Sequence, residues 1–171
     1  MTNHQYQPHT YCSYCGHPYG PDATWPRHCT HCDNLTFRNP LPVAVVLQPV
    51  DGGVLTVRRG IEPRKDWLAL PGGYIEWGET WQVAGARELW EEAGVQIDPA
   101  GLREFKVFSA NNSTLMIVAQ AKPLTAADLL PFLPNDEATE RLILTEPQEL
   151  AFPLHTEILA AYLAGELSPI I

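Results

Sequence analysis

From residue 41 the apolar positions of the chain fall into short blocks separated by turn residues. LPVAVVLQPV (41–50) is a near-continuous apolar run rich in β-branched residues, which predicts a buried strand. Asp51-Gly52-Gly53 reads as a turn, and VLTVRRG (54–60) predicts the next strand. EPRKD (62–66) reads as a loop, and WLALPGGY (67–74) as a short strand ending at Pro71-Gly72-Gly73. LREFKVFSA (102–110) and STLMIVAQAKP (113–123) predict a hairpin joined through Asn111-Asn112, and ERLILT (140–145) predicts one more strand. Two stretches switch to a helical period. LHTEILAAYLAGEL (154–167) places Leu154, Ile158, Leu159, Tyr162 and Leu163 on one face suited to pack on a sheet. Thr80 is placed to cap a helix running to about Ala93, with Gly94 as its C′ residue. Short strands mixed with two helices give a mixed α/β domain. Internal repeats and low-complexity segments are absent from the sequence.

Residues 1–36 do not share this patterning. They hold all four cysteines of the chain, as Cys12-x2-Cys15 and Cys29-x2-Cys32. Paired Cys-x-x-Cys knuckles at this separation suit one tetrahedral zinc with four thiolates. Two disulfides are the alternative, disfavoured in a reducing compartment. A redox pair is another, but neither pair sits in a βαβ pattern. A site filled by four protein ligands has no open position, so the zinc is expected to be structural. His17, His28 and His31 lie close in sequence and are the alternative ligands.

Charge narrows the partners. The 171 residues are 45% hydrophobic and carry a formal net charge of −9. That length buries one good core with room for a small appendage. Residues 1–40 balance Asp22 and Asp33 against Arg27 and Arg38, so the acidic excess lies beyond them. Such a chain lacks the basic face that nucleic acids and anionic membranes attract. A small anionic ligand fits only if a cation mediates. MTNHQYQPHT has no basic-then-apolar leader pattern, and no apolar run reaches the ~18 residues of a membrane span. The expected compartment is the cytoplasm.

The predicted helix after Thr80 poses a problem of repulsion. Glu88 and Glu92 are four residues apart and Glu88 and Glu91 three apart, so all three carboxylates share one face. A divalent magnesium or manganese ion, bound through hard oxygen ligands, would offset that repulsion. A solvated acidic helix face is the plainer alternative. The surrounding spacing decides between them: Gly73-x5-Glu79-x7-Arg87-Glu88-Leu89-x-Glu91-Glu92-x-Gly94-Val95. This run fills every fixed position of the Nudix box. From about residue 40 onward the chain therefore resembles the Nudix hydrolases. The four-cysteine segment running into FRNP (37–40) resembles the zinc-ribbon branch of that family.

The resemblance implies an α/β/α sandwich with a mixed sheet over 37–171, preceded by a zinc ribbon over 1–36. It also implies metal-dependent hydrolysis of a nucleoside diphosphate linked to a further group. A homodimer is the assembly considered for the chain. On this chain, Glu88 and Glu92 would be the main metal ligands, with Glu91 a third and the Gly72 carbonyl a backbone ligand. Gly72 and Gly73 would let the loop approach the metal. Arg87 would orient the carboxylates, and Glu79 would brace the loop–helix junction. The general base is a box glutamate or a carboxylate of PNDEATE (134–140), where Glu137 is favoured, then Glu140, with Asp136 also available. Arg58, Arg59 and Arg64 are candidates for the distal phosphate or ribose. Trp67, Trp77, Phe105 and Phe108 are candidates for base stacking, with core packing the simpler expectation for each. Trp90 is expected to pack. The NADH pyrophosphatases of the family carry a Ser-Gln-Pro-Trp-Pro-Phe-Pro signature after the box. Here residues 105–122 read FKVFSANNSTLMIVAQAK, which favours FAD or ADP-ribose over reduced NAD. A non-catalytic nucleotide sensor is the competing class, although this box keeps every carboxylate.

Overall fold

The computed structural model describes residues 9–110 and 113–166. The expected Asn111-Asn112 join and Leu167 lie outside the described residues. The chain divides between Pro40 and Leu41 into two compact units.

In the first unit, β1 (Arg27–His28) pairs antiparallel with β2 (Leu35–Thr36). Its two cysteine knuckles repeat one backbone pattern. The Gly16 amide donates to Cys12 O and the Cys12 amide to His17 O; Asp33 to Cys29 and Cys29 to Asn34 follow the same geometry. The fifth residue of each knuckle takes positive φ, 71° at Gly16 and 63° at Asp33. Glycine and aspartate tolerate that conformation better than most residues.

The second unit contains β3 (Leu41–Leu47), β4 (Pro49–Val50), β5 (Gly53–Arg59), β6 (Leu68–Ala69), β7 (Gly72–Tyr74), α1 (Trp81–Ala93), β8 (Arg103–Ala110), β9 (Thr114–Gln120), β10 (Ala138–Leu144) and α2 (Pro153–Leu163). One sheet has the order β7-β3-β9-β8 and is mixed, because β3 and β9 are parallel while the other pairs are antiparallel. The other has β10-β5-β4, with β6 also on β5, all antiparallel.

Two apolar clusters explain the continuous run at β3. Val46 joins Ala86, Leu89 and Ala93 of α1, with Val50, Leu55 and Val57. Its neighbours Val45 and Leu47 join Ile158 and Leu159 of α2, with Val54, Leu70 and Val118. Side chains alternate across a strand, so a strand covered on both faces is apolar throughout. Each fully buried Leu or Val stabilises the fold by about 1.5–3 kcal/mol. Helix α1 sits close to β3: a Cβ on Gly85 would meet Val46 Cγ2 at 3.1 Å and Leu102 Cδ1 at 3.3 Å.

The structure divides two of the expected strands. The 41–50 run breaks at Gln48, whose buried amide nitrogen donates to Pro49 O and Lys122 O at 2.9 and 2.8 Å. The chain thereby leaves one sheet as β3 and enters the other as β4. The 67–74 stretch divides around Pro71, which has no amide to donate, so β6 pairs with β5 and β7 with β3. Trp90 does not pack as expected. It stays 49% exposed, because the adjacent Leu89 takes the core-facing position of the helix. Phe105 and Phe108 pack partly against the α2-side cluster. Among the described residues, no helix is long and apolar enough to cross a membrane.

Candidate functional site

The acidic site is built where β7 meets α1. Thr80 caps the helix by accepting from the Val83 amide at 3.3 Å. Gly94 closes it with φ 65°, its amide donating to Trp90 O at 2.9 Å. These stops fix the phase of α1, so that Glu88 and Glu92 turn inward beside the Gly72–Gly73 loop, each only 8% exposed. The Gly72 amide donates to Glu92 Oε2 at 2.9 Å. A Cβ on Gly73 would collide with the Glu88 carboxylate, and one on Gly72 would lie 2.7 Å from Val45 Cα. Both glycines are therefore demanded by close approach.

Arg87 ties the carboxylates together. Its Nε and Nη2 donate to the two oxygens of Glu79 at 2.9 and 3.0 Å. Its Nη1 donates to Glu88 at 2.8 Å and Glu91 at 3.0 Å, and Nη2 also reaches Tyr74 O at 3.0 Å. Glu79 is held below the usual carboxylate range, chiefly by its hydrogen bonds with Arg87 and then by the Glu76 amide.

Oxygens of Glu88, Glu92 and Glu137 lie within 4.8 Å of one another. Burial pushes the Glu88 carboxyl up. Burial also raises Glu92 to about 8, with the Glu88 and Glu137 charges adding to it against the Gly72 amide. An all-oxygen set of crowded carboxylates fits a hard divalent cation such as Mg²⁺ or Mn²⁺.

Glu91 is not brought into this group: its side chain is 49% exposed and paired with Arg87. The Gly72 amide, by contrast, is tied directly to Glu92 of the group. Glu140 is engaged by Arg58, whose Nε donates to it at 2.6 Å while Nη1 donates to Asp66 O at 2.9 Å. Arg59 donates to Pro63 O at 2.9 Å and lies over the Phe152 ring. Arg64 lies over Trp67 and lines with it a cavity of about 210 Å³ bounded by Glu149, Leu150 and Pro153. Trp77 is fully exposed on the loop before α1.

Three residues not singled out in the sequence shape this region. Asn135 bonds both to α1 and to the Glu137 turn. Gly60 donates to Glu137 O at 2.7 Å, and a Cβ there would run into Asp136 O. Arg141 donates to Ala93 O at 2.8 Å and Leu130 O at 2.7 Å. The Pro134-Asn135-Asp136 sequence was the available signal for a side-chain-closed turn.

In the first unit the four sulfurs lie within 4.8 Å of one another. Cys12 and Cys32 are 3.7 Å apart and Cys15 and Cys29 3.6 Å. A disulfide needs ~2.05 Å, so these are free thiols. Four sulfurs ~2.3 Å from a tetrahedral zinc stand ~3.8 Å apart, which fits. Burial pushes the Cys12 thiol up, but the Tyr14 and Cys15 amides more than offset it and leave it at about 6. The His17 amide favours the Cys15 thiolate, yet burial and the three neighbouring sulfurs outweigh it and raise Cys15 to about 12. Four sulfurs gathered in one cluster are a donor set for a cation. His17, His28 and His31 stand outside the sulfur group; His17 stacks on His31 and His28 pairs with Asp33 at 2.6 Å.

Residues 38–161 match the NUDIX domain model. The NAD-capped RNA hydrolase NudC of Salmonella typhi is 29% identical over 157 residues, covering 82% of this chain and 61% of that protein. The chain thus spans about 61% of the length of the curated relatives it matches. A NUDIX hydrolase from Nitrosomonas europaea superposes with TM-score 0.78 at 25% identity, covering 95% of this chain and 96% of its own. The NUDIX domain of Shewanella oneidensis NrtR, solved with ADP ribose, shares the fold with TM-score 0.61 at 16% identity, covering 77% and 91%. With the family model matched over most of its length and the box glutamates gathered at the Gly72–Gly73 loop, the chain belongs to the Nudix family of hydrolases.

Proposed function

We propose that the protein hydrolyses the pyrophosphate bond of a nucleoside diphosphate linked to a further group, with FAD or ADP-ribose favoured, releasing AMP and a second monophosphate. The observation that carries this reading is the convergence of Glu88, Glu92 and Glu137 beside the glycine loop. Glu88 and Glu92 would hold a magnesium or manganese ion, with Glu91 available to a second. When bound, the ion supplies charge for the phosphoryl oxygens and lowers the pKa of water. Glu137, the third carboxylate of the group, would stand beside that ion and accept the proton of the attacking water on a carboxylate oxygen. Water's oxygen bonds to one phosphorus as the bond from that phosphorus to the bridging oxygen breaks, and the bridging oxygen leaves with the other phosphate. Arg87 favours the ionised form of Glu79 and holds Glu79 and Glu88 in place. Arg59 and Arg64 are the cations proposed for the far phosphate or ribose. Arg58 is proposed for the same role only if substrate displaces Glu140. The four cysteines would hold a structural zinc. A reducing, cytoplasmic setting suits those thiols.

A second reading, NAD or NADH as substrate, is favoured by the similarity to NudC. The missing proline-rich signature after the box argues against it. A screen of FAD, ADP-ribose, NAD and NADH with magnesium or manganese tests both. Products should be AMP and the complementary monophosphate, with heavy oxygen from labelled water on one phosphate. Release of inorganic phosphate from a dinucleotide would rule the reading out. Nucleotide binding without turnover would point to a sensor instead.

A further inference from the structure

Glu137 lies on an exposed turn, and its carboxylate must nonetheless meet two buried ones on α1. We propose that Asn135 is the positioning residue that holds Glu137 against the Glu88–Glu92 pair, clamping the turn before β10 to the last turn of α1. This rests on the proposed role of the three carboxylates.

The geometry uses every face of the amide. Asn135 Nδ2 donates to the backbone carbonyl of Glu91 at 2.7 Å, on the turn of α1 that presents Glu88 and Glu92. Asn135 Oδ1 accepts from the amides of Glu137 at 2.9 Å and Ala138 at 2.8 Å. The Asn135 amide donates back to Ala138 O at 2.9 Å, closing the turn on itself. From the other side, the Gly60 amide fixes Glu137 O at 2.7 Å. The backbone of Glu137 is thus held from the residue after β5 and, through Asn135, from the helix that carries the other two carboxylates. Asparagine meets this need because its side chain offers both a donor and a two-lone-pair acceptor and closes turns on following amides. Aspartate could not donate to Glu91 O, and serine could serve the turn amides but is too short to bridge to the helix. Asn135 touches no reacting atom; it acts through Glu137.

Residues that orient metal ligands typically cost ~10–100-fold in metal affinity or activity when removed. The test is a Mn²⁺ titration, followed by electron paramagnetic resonance, of the wild-type chain and the Asn135→Ala, Asn135→Ser, Glu137→Gln and Asn135→Ala/Glu137→Gln variants. Melting temperatures are recorded alongside. Asn135→Ala should weaken Mn²⁺ binding about tenfold. Asn135→Ser, which keeps the turn amides satisfied, should recover part of the loss, and it provides the comparison should the alanine variant not fold. The double variant should bind no more weakly than Glu137→Gln alone, because the clamp has nothing left to position. Losses that add in the double variant, or normal binding in both Asn135 variants beside weakened binding in Glu137→Gln, overturn the clamp and leave the site reading standing. Undiminished binding in Glu137→Gln overturns the clamp together with the place of Glu137 in the site.

Discussion

The Gly72 amide donates to Glu92 Oε2 at 2.9 Å, so the start of β7 is fastened to the last turn of α1 by a carboxylate whose ionisation burial opposes. One contact therefore couples the backbone of the glycine loop to the charge state of the proposed metal site.

That coupling has a pH signature. Glu92 rises from an ordinary 4.5 to about 8 in the fold. Its neutral form contributes stability that is complete below pH 4.5 and is lost as pH climbs through 8. His155 behaves oppositely: burial lowers it from 6.5 to about 3 while its Nδ1 accepts from the Leu70 amide. Its contribution is complete above pH 6.5 and is lost as pH falls toward 3. Melting curves of magnesium-free protein across this range should fall on both sides of a mildly acidic maximum. Glu92→Gln should flatten the alkaline limb only, and saturating magnesium should raise it by favouring the ionised carboxylates.

Gly73 offers a steric test. Alanine there places its methyl on the Glu88 carboxylate, while the backbone conformation itself demands no glycine. Gly73→Ala should lower kcat at least tenfold, on the order of 1.4 kcal/mol of transition-state stabilisation. Its Tm should stay within a few degrees of wild type. Steady-state kinetics with calorimetry would separate the two effects.

Arg87 serves five acceptor atoms through a planar fork. Lysine keeps the charge but not the fork. Arg87→Lys should cost about 1–2 kcal/mol in denaturant unfolding. It should also lower turnover more than tenfold, because Glu79 and Glu88 lose their shared partner. A variant with wild-type stability and rate would show the fork to be dispensable.

The sulfur cluster predicts one zinc per chain after purification without added metal, measured by elemental analysis. Cys12→Ser/Cys15→Ser should lose it and become more susceptible to proteolysis within the first 40 residues, where apolar burial is slight. Zinc-free native protein with titratable thiols would remove the structural metal from the account.

Much of this was legible in the sequence because it depends on spacing. The phase of Glu88, Glu91 and Glu92 follows from 3.6 residues per turn, and the Thr80 and Gly94 stops follow from capping chemistry. Two-sided burial of β3 was written in its unbroken apolar run. The rest depended on tertiary neighbours. Nothing local in LPVAVVLQPV says that Gln48 will find Lys122 O and move the chain into another sheet. Nothing in PNDEATE says that Arg58 will occupy Glu140 and leave Glu137 facing the helix. Trp90 lies on the rim for a related reason: helical phase sends Leu89 inward and leaves its bulky neighbour outside the core.

The buried helix carboxylates are proposed to bind a catalytic cation. Glu92→Gln and Glu76→Gln, assayed with FAD and ADP-ribose over a Mg²⁺ and Mn²⁺ titration, test it most directly. Glu76 occupies a free position of the box, and its backbone amide, which a side-chain change leaves in place, is what reaches Glu79. Glu92→Gln should fold, lose turnover by at least ~100-fold and lose the metal-induced rise in melting temperature. Glu76→Gln should keep both near wild type. Near-normal turnover in Glu92→Gln, or equal behaviour of the two variants, would contradict the assignment and leave the cluster an acidic helix face without a catalytic ion.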